Sequence, residues 1–189
     1  METVLPQELA PAAAGPFAKD LADFDAVAHL YQAAIFRYIL ASLRDRDAAE
    51  TLKQECLLRA YQVRERFCGE SSVKTWLMRI AVNLVRDHLS NARLRFWRRT
   101  QRSSVDFSLA EDWLSDRRRS PEAAALAKQQ VETIWAAAME LSEKQRTVFL
   151  LRFLEDMDIL EIAAATGMAE GTVKVHLFRA LQGIRSKLR

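Results

Sequence analysis

The C-terminal part of the chain has the clearest periodic pattern of apolar and polar positions. Two short runs carry apolar residues at helical spacing, namely Ile159, Ile162 and Ala163 in the first and Val173, Leu177 and Ala180 in the second. Gly167 lies between the runs, where a tight turn calls for a positive φ. The pattern predicts a helix-turn-helix, with the small Ala163 where the two helices cross.

The second predicted helix of this motif has a basic face opposite its apolar stripe. One acid, Glu170, stands against the basic residues of the helix and its tail, which are Lys174, Arg179, Arg185, Lys187 and Arg189. A helix with one apolar and one basic face suits the major groove of DNA, because phosphates line that groove. A helical hairpin whose basic face is only solvated is the alternative interpretation.

Helical spacing of apolar residues also predicts three helices in the first half of the chain. The first runs from Phe24 to near Leu43, and a polar turn follows at residues 44–47. The second runs from about Ala48 to Arg66, with Cys56 on its apolar face and Arg59 on the opposite face. That opposite face is either a solvated surface or a docking face for a larger partner.

The third helix begins near Val73, after a predicted loop at residues 67–72. Ser71 or Ser72 is placed to cap its N-terminus. Its predicted core stripe consists of Val73, Leu77, Ile80, Leu84 and His88. Trp76 lies beside this stripe, and it is either a core residue or a stacking platform for unpaired bases.

The third helix also carries much of a basic block. From Ser71 to Arg102 there are eight basic residues and one acid, Asp87, which gives a local net charge of +7 in a chain whose total is +3. The segments on either side are acidic on balance. A basic block in an otherwise mixed chain predicts a polyanion as its partner.

Patterns typical of helices appear again after residues 100–120, where apolar residues have no helical spacing. Pro121 is placed at the first position of the next predicted helix. Ser142 with Gln145, and Asp158 with Glu161, have the spacing of capping boxes and predict the starts of two later helices.

The sequence therefore predicts an all-α fold of two small helical domains joined by a flexible linker. A disordered tail occupies residues 1–20, and the first domain spans residues 21–99. The linker covers residues 100–120, where periodicity fails, and the second domain spans residues 121–189. The chain contains only five Gly and four Pro among 189 residues, which favours helices throughout.

Composition excludes several functional classes. Cys56 and Cys68 form neither a metal framework nor a disulfide scaffold, so a reducing cytoplasm is expected, with a structural or incidental role favoured over a redox switch. No apolar run approaches the ~20 residues of a membrane span, and Glu2 and Glu8 argue against a signal peptide. We find no phosphate-binding glycine loop, metal cluster or nucleophile–base pair, so neither an enzyme nor a cofactor is predicted.

Several motifs in the same order resemble the extracytoplasmic-function (ECF, group IV) sigma factors of bacterial RNA polymerase. They are residues 67–83 (FCGESSVKTWLMRIAVN), residues 141–152 (LSEKQRTVFLLR), Gln54-Glu55 with residues 58–61, and residues 171–174. The resemblance covers about residues 24–99 and 132–189. It departs from the family at Thr51 and Lys53, where relatives usually have an acid and an apolar or small residue.

The resemblance implies a role for each unit. The first unit would bind and help melt the −10 element, with a base flipped into the 67–72 loop. The implied −10 residues are Phe67, Ser71, Ser72, Trp76, Arg79, Asn83 and Arg86. The second unit would read the −35 element in the major groove through Arg152, Thr172, Lys174, Val175, Phe178 and Arg179.

The resemblance also implies partners. Gln54, Glu55 and Arg59 match the positions that dock on the clamp helices of the polymerase β′ subunit, and the β subunit is a further expected contact. An anti-sigma factor, often membrane-bound, is expected to hold the protein inactive. The location implied is the cytoplasm, at the nucleoid or held at the membrane by that factor, without membrane insertion by this chain.

Two rival interpretations explain less of the chain. A LuxR-like transcriptional regulator fits residues 172–177 but leaves the basic, aromatic unit around Trp76 and Asn83 without a role. A decoy that mimics a sigma factor to capture an anti-sigma factor would usually carry a receiver domain, which this chain lacks.

Overall fold

The computed structural model describes residues 23–96 and 133–188. We call these ranges the first unit and the second unit. Every regular element within them is a helix, which confirms the predicted all-α class. The predicted tail at residues 1–20, the linker at residues 100–120 and the helix start at Pro121 lie outside the described residues.

The first unit consists of α1 (Phe24–Leu43), α2 (Arg46–Val63), a 3₁₀ turn (Arg64–Arg66) and α3 (Val73–Phe96). Asp23 caps α1, since its carboxylate accepts a hydrogen bond of 3.1 Å from the amide of Ala26. Asp45 caps α2 in the same way through the amide of Ala48, at 2.9 Å. α2 therefore begins two residues before its predicted start, because the polar turn supplies its N-cap.

The 67–72 loop connects the 3₁₀ turn to α3. Phe67 is buried, and Gly69 adopts a φ of +74°, which lets the chain reverse towards α3. Ser72 Oγ accepts a hydrogen bond of 3.1 Å from the amide of Thr75, which confirms Ser72 as the residue that caps α3.

The second unit consists of a helical segment at residues 133–139, α4 (Glu143–Phe153), α5 (Ile159–Thr166) and α6 (Glu170–Lys187). α5 begins with the predicted capping box. Asp158 accepts from the amide of Glu161 at 2.8 Å, and Glu161 accepts from the amide of Asp158 at 2.9 Å. Gly167 ends α5 with a φ of +71°, as the helix-turn-helix pattern predicted.

The capping box predicted at Ser142 is wrong. Ser142 is the N-cap residue of α4, but its side chain makes no capping hydrogen bond. Ser142 is exposed, so water can satisfy the first amides of α4 without it. The spacing of Ser142 and Gln145 permits a capping box but does not require one.

α3 is buried on two sides, whereas the sequence analysis predicted a single apolar stripe. Leu77 and Leu84 of that stripe are buried against the first unit, whereas Val73, Ile80 and His88 are only partly covered. α5 of the second unit packs on another face of α3. The additional buried residues of α3 are Met78, Ala81, Val82 and Val85. The two units therefore share one continuous core.

Among the helices of the described ranges, α1 alone has the length and apolar composition of a membrane span. The expectation that no apolar run approaches that length is therefore wrong for α1. Its residues Ile35, Tyr38 and Ile39 are fully buried, and the helix packs against α2 and α3. This packing accounts for the apolar character of α1 as that of a core helix.

Candidate nucleic-acid interface

Three of the residues predicted to contact the −10 element lie along one side of α3. Arg79, Asn83 and Arg86 are spaced four and three positions apart, so they follow one another on the helix surface. Arg79 and Arg86 are exposed, and Asn83 is half-buried. Among the described residues, the close charge partner of the Arg86 guanidinium is Asp87, at 3.9 Å, and Arg86 is exposed, so it is placed to contact a phosphate.

The 67–72 loop and α1 enclose an open cavity of about 540 Å³. Gly69, Ser71 and Ser72 of the loop line it, together with Phe67 and Val73 at the loop's ends. Across the cavity, Val27, Leu30 and Tyr31 form a wall that belongs to α1. Sequence reasoning missed this wall. The one indication of this wall in the sequence is Leu30, a large apolar residue of α1. Its side chain is 70% exposed.

Phe67, which lines this cavity, packs against Trp76. Their ring centroids are 5.2 Å apart at a tilted angle, Phe67 is buried and Trp76 is half-buried. The core interpretation of Trp76 is therefore correct for the ring surface that meets Phe67. A contact of Trp76 with a base stays a prediction for the surface left open.

The residues predicted to read the −35 element lie mainly on the N-terminal half of α6. Thr172, Lys174, Val175, Phe178 and Arg179 are all exposed. Val175 and Phe178 are 47% and 61% exposed one turn apart, and adjacent exposed apolar residues are typical of a surface that a partner covers. Val173 and Ala180 are buried on the opposite side of the helix, as predicted, and Leu177 is half-buried.

Arg152 lies apart from α6, on α4. Its Nη1 donates a hydrogen bond of 2.9 Å to the carbonyl oxygen of Met157, in the loop that leads into α5. The guanidinium is half-buried, so Arg152 shapes this loop in addition to any contact with a phosphate.

The predicted polymerase-docking residues lie on α2. Gln54 and Arg59 are exposed and Glu55 is half-buried, and Arg59 Nη2 bonds to the Glu55 carboxylate one turn away. Sequence reasoning missed two exposed apolar side chains on the same helix, Leu58 and Tyr61. Apolar side chains beside exposed polar residues are typical of a surface that a protein partner covers.

The second unit has an apolar groove near the C-terminal end of α6. It is lined by Ile134, Trp135, Phe149, Phe153, Leu181, Ile184 and Leu188 and has a volume of about 310 Å³. The α6 residues of the groove begin at Leu181, beyond the residues predicted to read DNA.

The two cysteines have different surroundings. Burial raises the pKa of Cys56 to about 12, so this thiol stays protonated and packs as an apolar residue. Cys68 is exposed and free. Within the described ranges, no three His, Cys, Asp or Glu side chains cluster in a way that would hold a metal ion.

Comparison with known proteins agrees with this geometry. The family profile described as Sigma-70 region 2 matches residues 27–103, and the one described as Sigma-70, region 4 matches residues 132–182. The chain is 32% identical over 169 residues to the RNA polymerase sigma-H factor of Pseudomonas aeruginosa, covering 87% of this chain and 86% of that protein. It is also 32% identical over 139 residues to the ECF RNA polymerase sigma-E factor of Escherichia coli K12, covering 71% of each.

A solved structure has the same fold. It is that of the sigma factor RpoE in complex with the anti-sigma factor NepR from Bartonella quintana, which aligns with a TM-score of 0.67 over 88% of this chain and 96% of that one, at 23% identity. The chain belongs to the ECF sigma factors, which direct bacterial RNA polymerase to specific promoters for the initiation of transcription.

Proposed function

We propose that the first unit binds and helps to melt the −10 element through α3 and the 67–72 loop. Arg79 and Arg86 contact phosphates, and Asn83 between them reaches a base edge. The proposal is supported by the alignment of these three side chains on one exposed strip of α3.

The cavity between the 67–72 loop and α1 holds one base that has left the duplex stack. Unstacking costs a few kcal/mol, and it must be offset by stacking and hydrogen bonds inside the pocket. Leu30 and Tyr31 supply an apolar wall for stacking, and Ser71 supplies a hydroxyl. None of the described residues that line the cavity is charged, which suits a neutral base better than a phosphate.

The second unit reads the −35 element with the N-terminal half of α6 in the major groove. Val175 and Phe178 make apolar contacts with bases, Lys174 and Arg179 contact base edges or phosphates, and Thr172 binds a phosphate. The observation that carries the two-site proposal is that α3 and α6 each present an exposed, partly basic face.

The polymerase supplies the catalytic chemistry, and this chain positions it on the promoter. Gln54, Glu55 and Arg59 dock on the clamp helices of β′, with Leu58 and Tyr61 covered in the complex. The β subunit contacts the apolar groove of the second unit, whose α6 residues lie beyond those predicted to read DNA.

An anti-sigma factor controls access to the promoter. This part of the proposal rests on the family, whose members are commonly held inactive by such a partner. Within the cytoplasm, the protein is then either bound to DNA at the nucleoid or held near the membrane by that factor. A LuxR-like regulator is not favoured, because it leaves α1 to α3 and the loop cavity without a function.

Run-off transcription with bacterial core polymerase tests the two DNA contacts, using the promoter of the protein's own operon. We expect promoter-specific transcripts that require this protein. We expect Asn83→Ala and Arg179→Ala each to reduce them roughly fivefold or more, because one good base contact contributes about 1–3 kcal/mol.

Lys144→Ala is the control for a lost surface charge, since Lys144 is exposed on α4 and outside both predicted DNA-binding sets. Its transcript level should match wild type. Absence of transcripts with core polymerase, together with tight binding of the free protein to duplex DNA, would reject the proposed mechanism.

A further inference from the structure

Val175 and Phe178 form an apolar strip on the exposed side of α6. They lie three positions apart, which sets their Cβ atoms about 5–6 Å from each other. The buried residues of α6 are Val173, Ala180 and Ile184, and they hold the helix on the rest of the second unit. In the part of the chain that the structure describes, the two side chains of the apolar strip therefore have no role in the core.

A basic residue lies on each side of the apolar strip. Successive residues of an α-helix are rotated by about 100° around its axis. Around the circumference of α6, the exposed side chains therefore follow one another in the order Lys174, Phe178, Val175 and Arg179. These four residues span an arc of about 140°, and the buried Val173 lies on nearly the opposite side of the helix.

This order suits a helix that lies in the major groove. The groove has a phosphate backbone along each side and the edges of the bases on its floor. Lys174 and Arg179 are placed towards the two sides, where each reaches a phosphate or the base next to it. Lys174 lies 4.0 Å from the Glu170 carboxylate, and both side chains are half or more exposed, so this ion pair is weak and leaves the charge available to DNA. The apolar strip between the two basic residues faces the base edges.

Apolar side chains at base edges distinguish thymine from the other bases. In the major groove every base presents hydrogen-bond donors or acceptors, and thymine alone adds an apolar 5-methyl group. Covering this methyl group removes apolar surface from water, which is favourable. Covering the edge of guanine, adenine or cytosine with valine or phenylalanine would instead remove polar atoms from water without offering them a hydrogen bond.

We propose that Val175 and Phe178 each read a thymine of the −35 element through its 5-methyl group. The inference rests on the proposed −35 function of α6 and adds the identity of two bases to it. Base pairs are stacked about 3.4 Å apart, so side chains about 5–6 Å apart reach thymines that are one or two steps apart, on either strand. Neither side chain can form a hydrogen bond with a base, so the methyl contact carries the preference.

Deoxyuridine in place of thymine tests this readout, because deoxyuridine lacks only the 5-methyl group and keeps every hydrogen-bonding atom. Each thymine of the −35 region in the promoter of the protein's own operon is replaced in turn, on both strands, and binding of the polymerase holoenzyme is measured by filter binding. We expect two positions at which the affinity of wild type falls roughly fourfold, the effect of leaving one methyl-sized group uncovered. Replacement of a thymine in the spacer between the two elements is the control and should leave the affinity unchanged.

Variants of α6 assign each position to one side chain. In Val175→Ser, the affinity should no longer respond to deoxyuridine at one of the two positions, whereas the other position stays sensitive. Phe178→Ser should give the converse result. Arg179→Ala is the matched control, because it weakens binding without removing an apolar contact and should keep both responses. All three side chains are exposed, so circular dichroism should show the wild-type helix content in each variant.

The possible failures are distinguishable. An affinity of wild type that deoxyuridine leaves unchanged at every −35 thymine would overturn the thymine readout and leave the −35 function of α6 intact. Responses to deoxyuridine that persist in both serine variants would overturn it as well, because the methyl groups would then be read by other residues. Failure of the wild-type holoenzyme to bind the unmodified promoter would reject the −35 function itself, and the inference with it.

Discussion

At the scale of single residues, two opposing effects act on the carboxyl group of Glu155. Burial raises its pKa above the ordinary value of 4.5, whereas the hydrogen bonds and charge of Arg37 and the charge of Lys74 lower it. The net shift is upward, so burial outweighs the partners. The ionised form is therefore less favourable in the folded chain than in the unfolded chain. The contribution of this group to stability is complete below pH 4.5 and is lost as the pH rises through the raised pKa.

Glu155→Gln removes this titration while preserving the shape of the side chain. We expect the free energy of unfolding of the variant, relative to wild type, to increase between about pH 4 and about pH 8. Urea denaturation at both pH values measures the difference. Glu65→Gln is the control, because that side chain is 88% exposed, and its difference from wild type should stay nearly constant. A relative stability that falls with pH would mean that the pairing with Arg37 outweighs burial.

At the scale of elements, α4 and α5 provide a matched test of helix capping. Asp158 and Glu161 form both hydrogen bonds of a capping box at α5, whereas Ser142 forms no side-chain cap at α4. We expect Asp158→Ala to lower the free energy of unfolding by about 1 kcal/mol, the usual cost of losing a cap. Ser142→Ala should change it much less. Chemical denaturation of both variants measures this, and equal losses would show that the cap at Asp158 is not what stabilises α5.

The same elements show how far local sequence patterns predict structure. Asp158 with Glu161 and Gly167 were predicted correctly, and Ser72 was one of two predicted caps, because each acts on amides or dihedral angles within three residues of itself. The capping box at Ser142 was predicted wrongly. Its spacing shows which hydrogen bonds are possible, but water can bind the same amides instead. The α1 wall of the loop cavity was also missed. It depends on Leu30 meeting a loop about forty residues away, and periodicity within one helix carries no information about that contact.

At the scale of the whole molecule, the packing of the two units was the largest feature that the sequence did not predict. Arg37 and Glu155 are 118 positions apart, and neither residue interrupts the pattern of its own element. The second apolar face of α3, which includes Val82 and Val85, was present in the sequence but was assigned no partner. A helix that is apolar around much of its circumference indicates burial on two sides, and this was the available signal.

Charge at this scale predicts how promoter binding depends on salt. The total charge is only +3, but residues 71–102 carry +7, and α6 adds a basic, exposed face. Each arginine that neutralises a phosphate releases counterions, so its loss lowers the slope of log affinity against log salt concentration by about 1.

We expect Arg179→Ala in the polymerase holoenzyme to show this reduced slope if it binds a phosphate. Its neighbour Phe178→Ala should weaken promoter binding with an unchanged slope, because an apolar contact releases no ions. Filter binding over a range of salt concentrations separates the two variants, and an unchanged slope for Arg179→Ala would assign that side chain to a base edge.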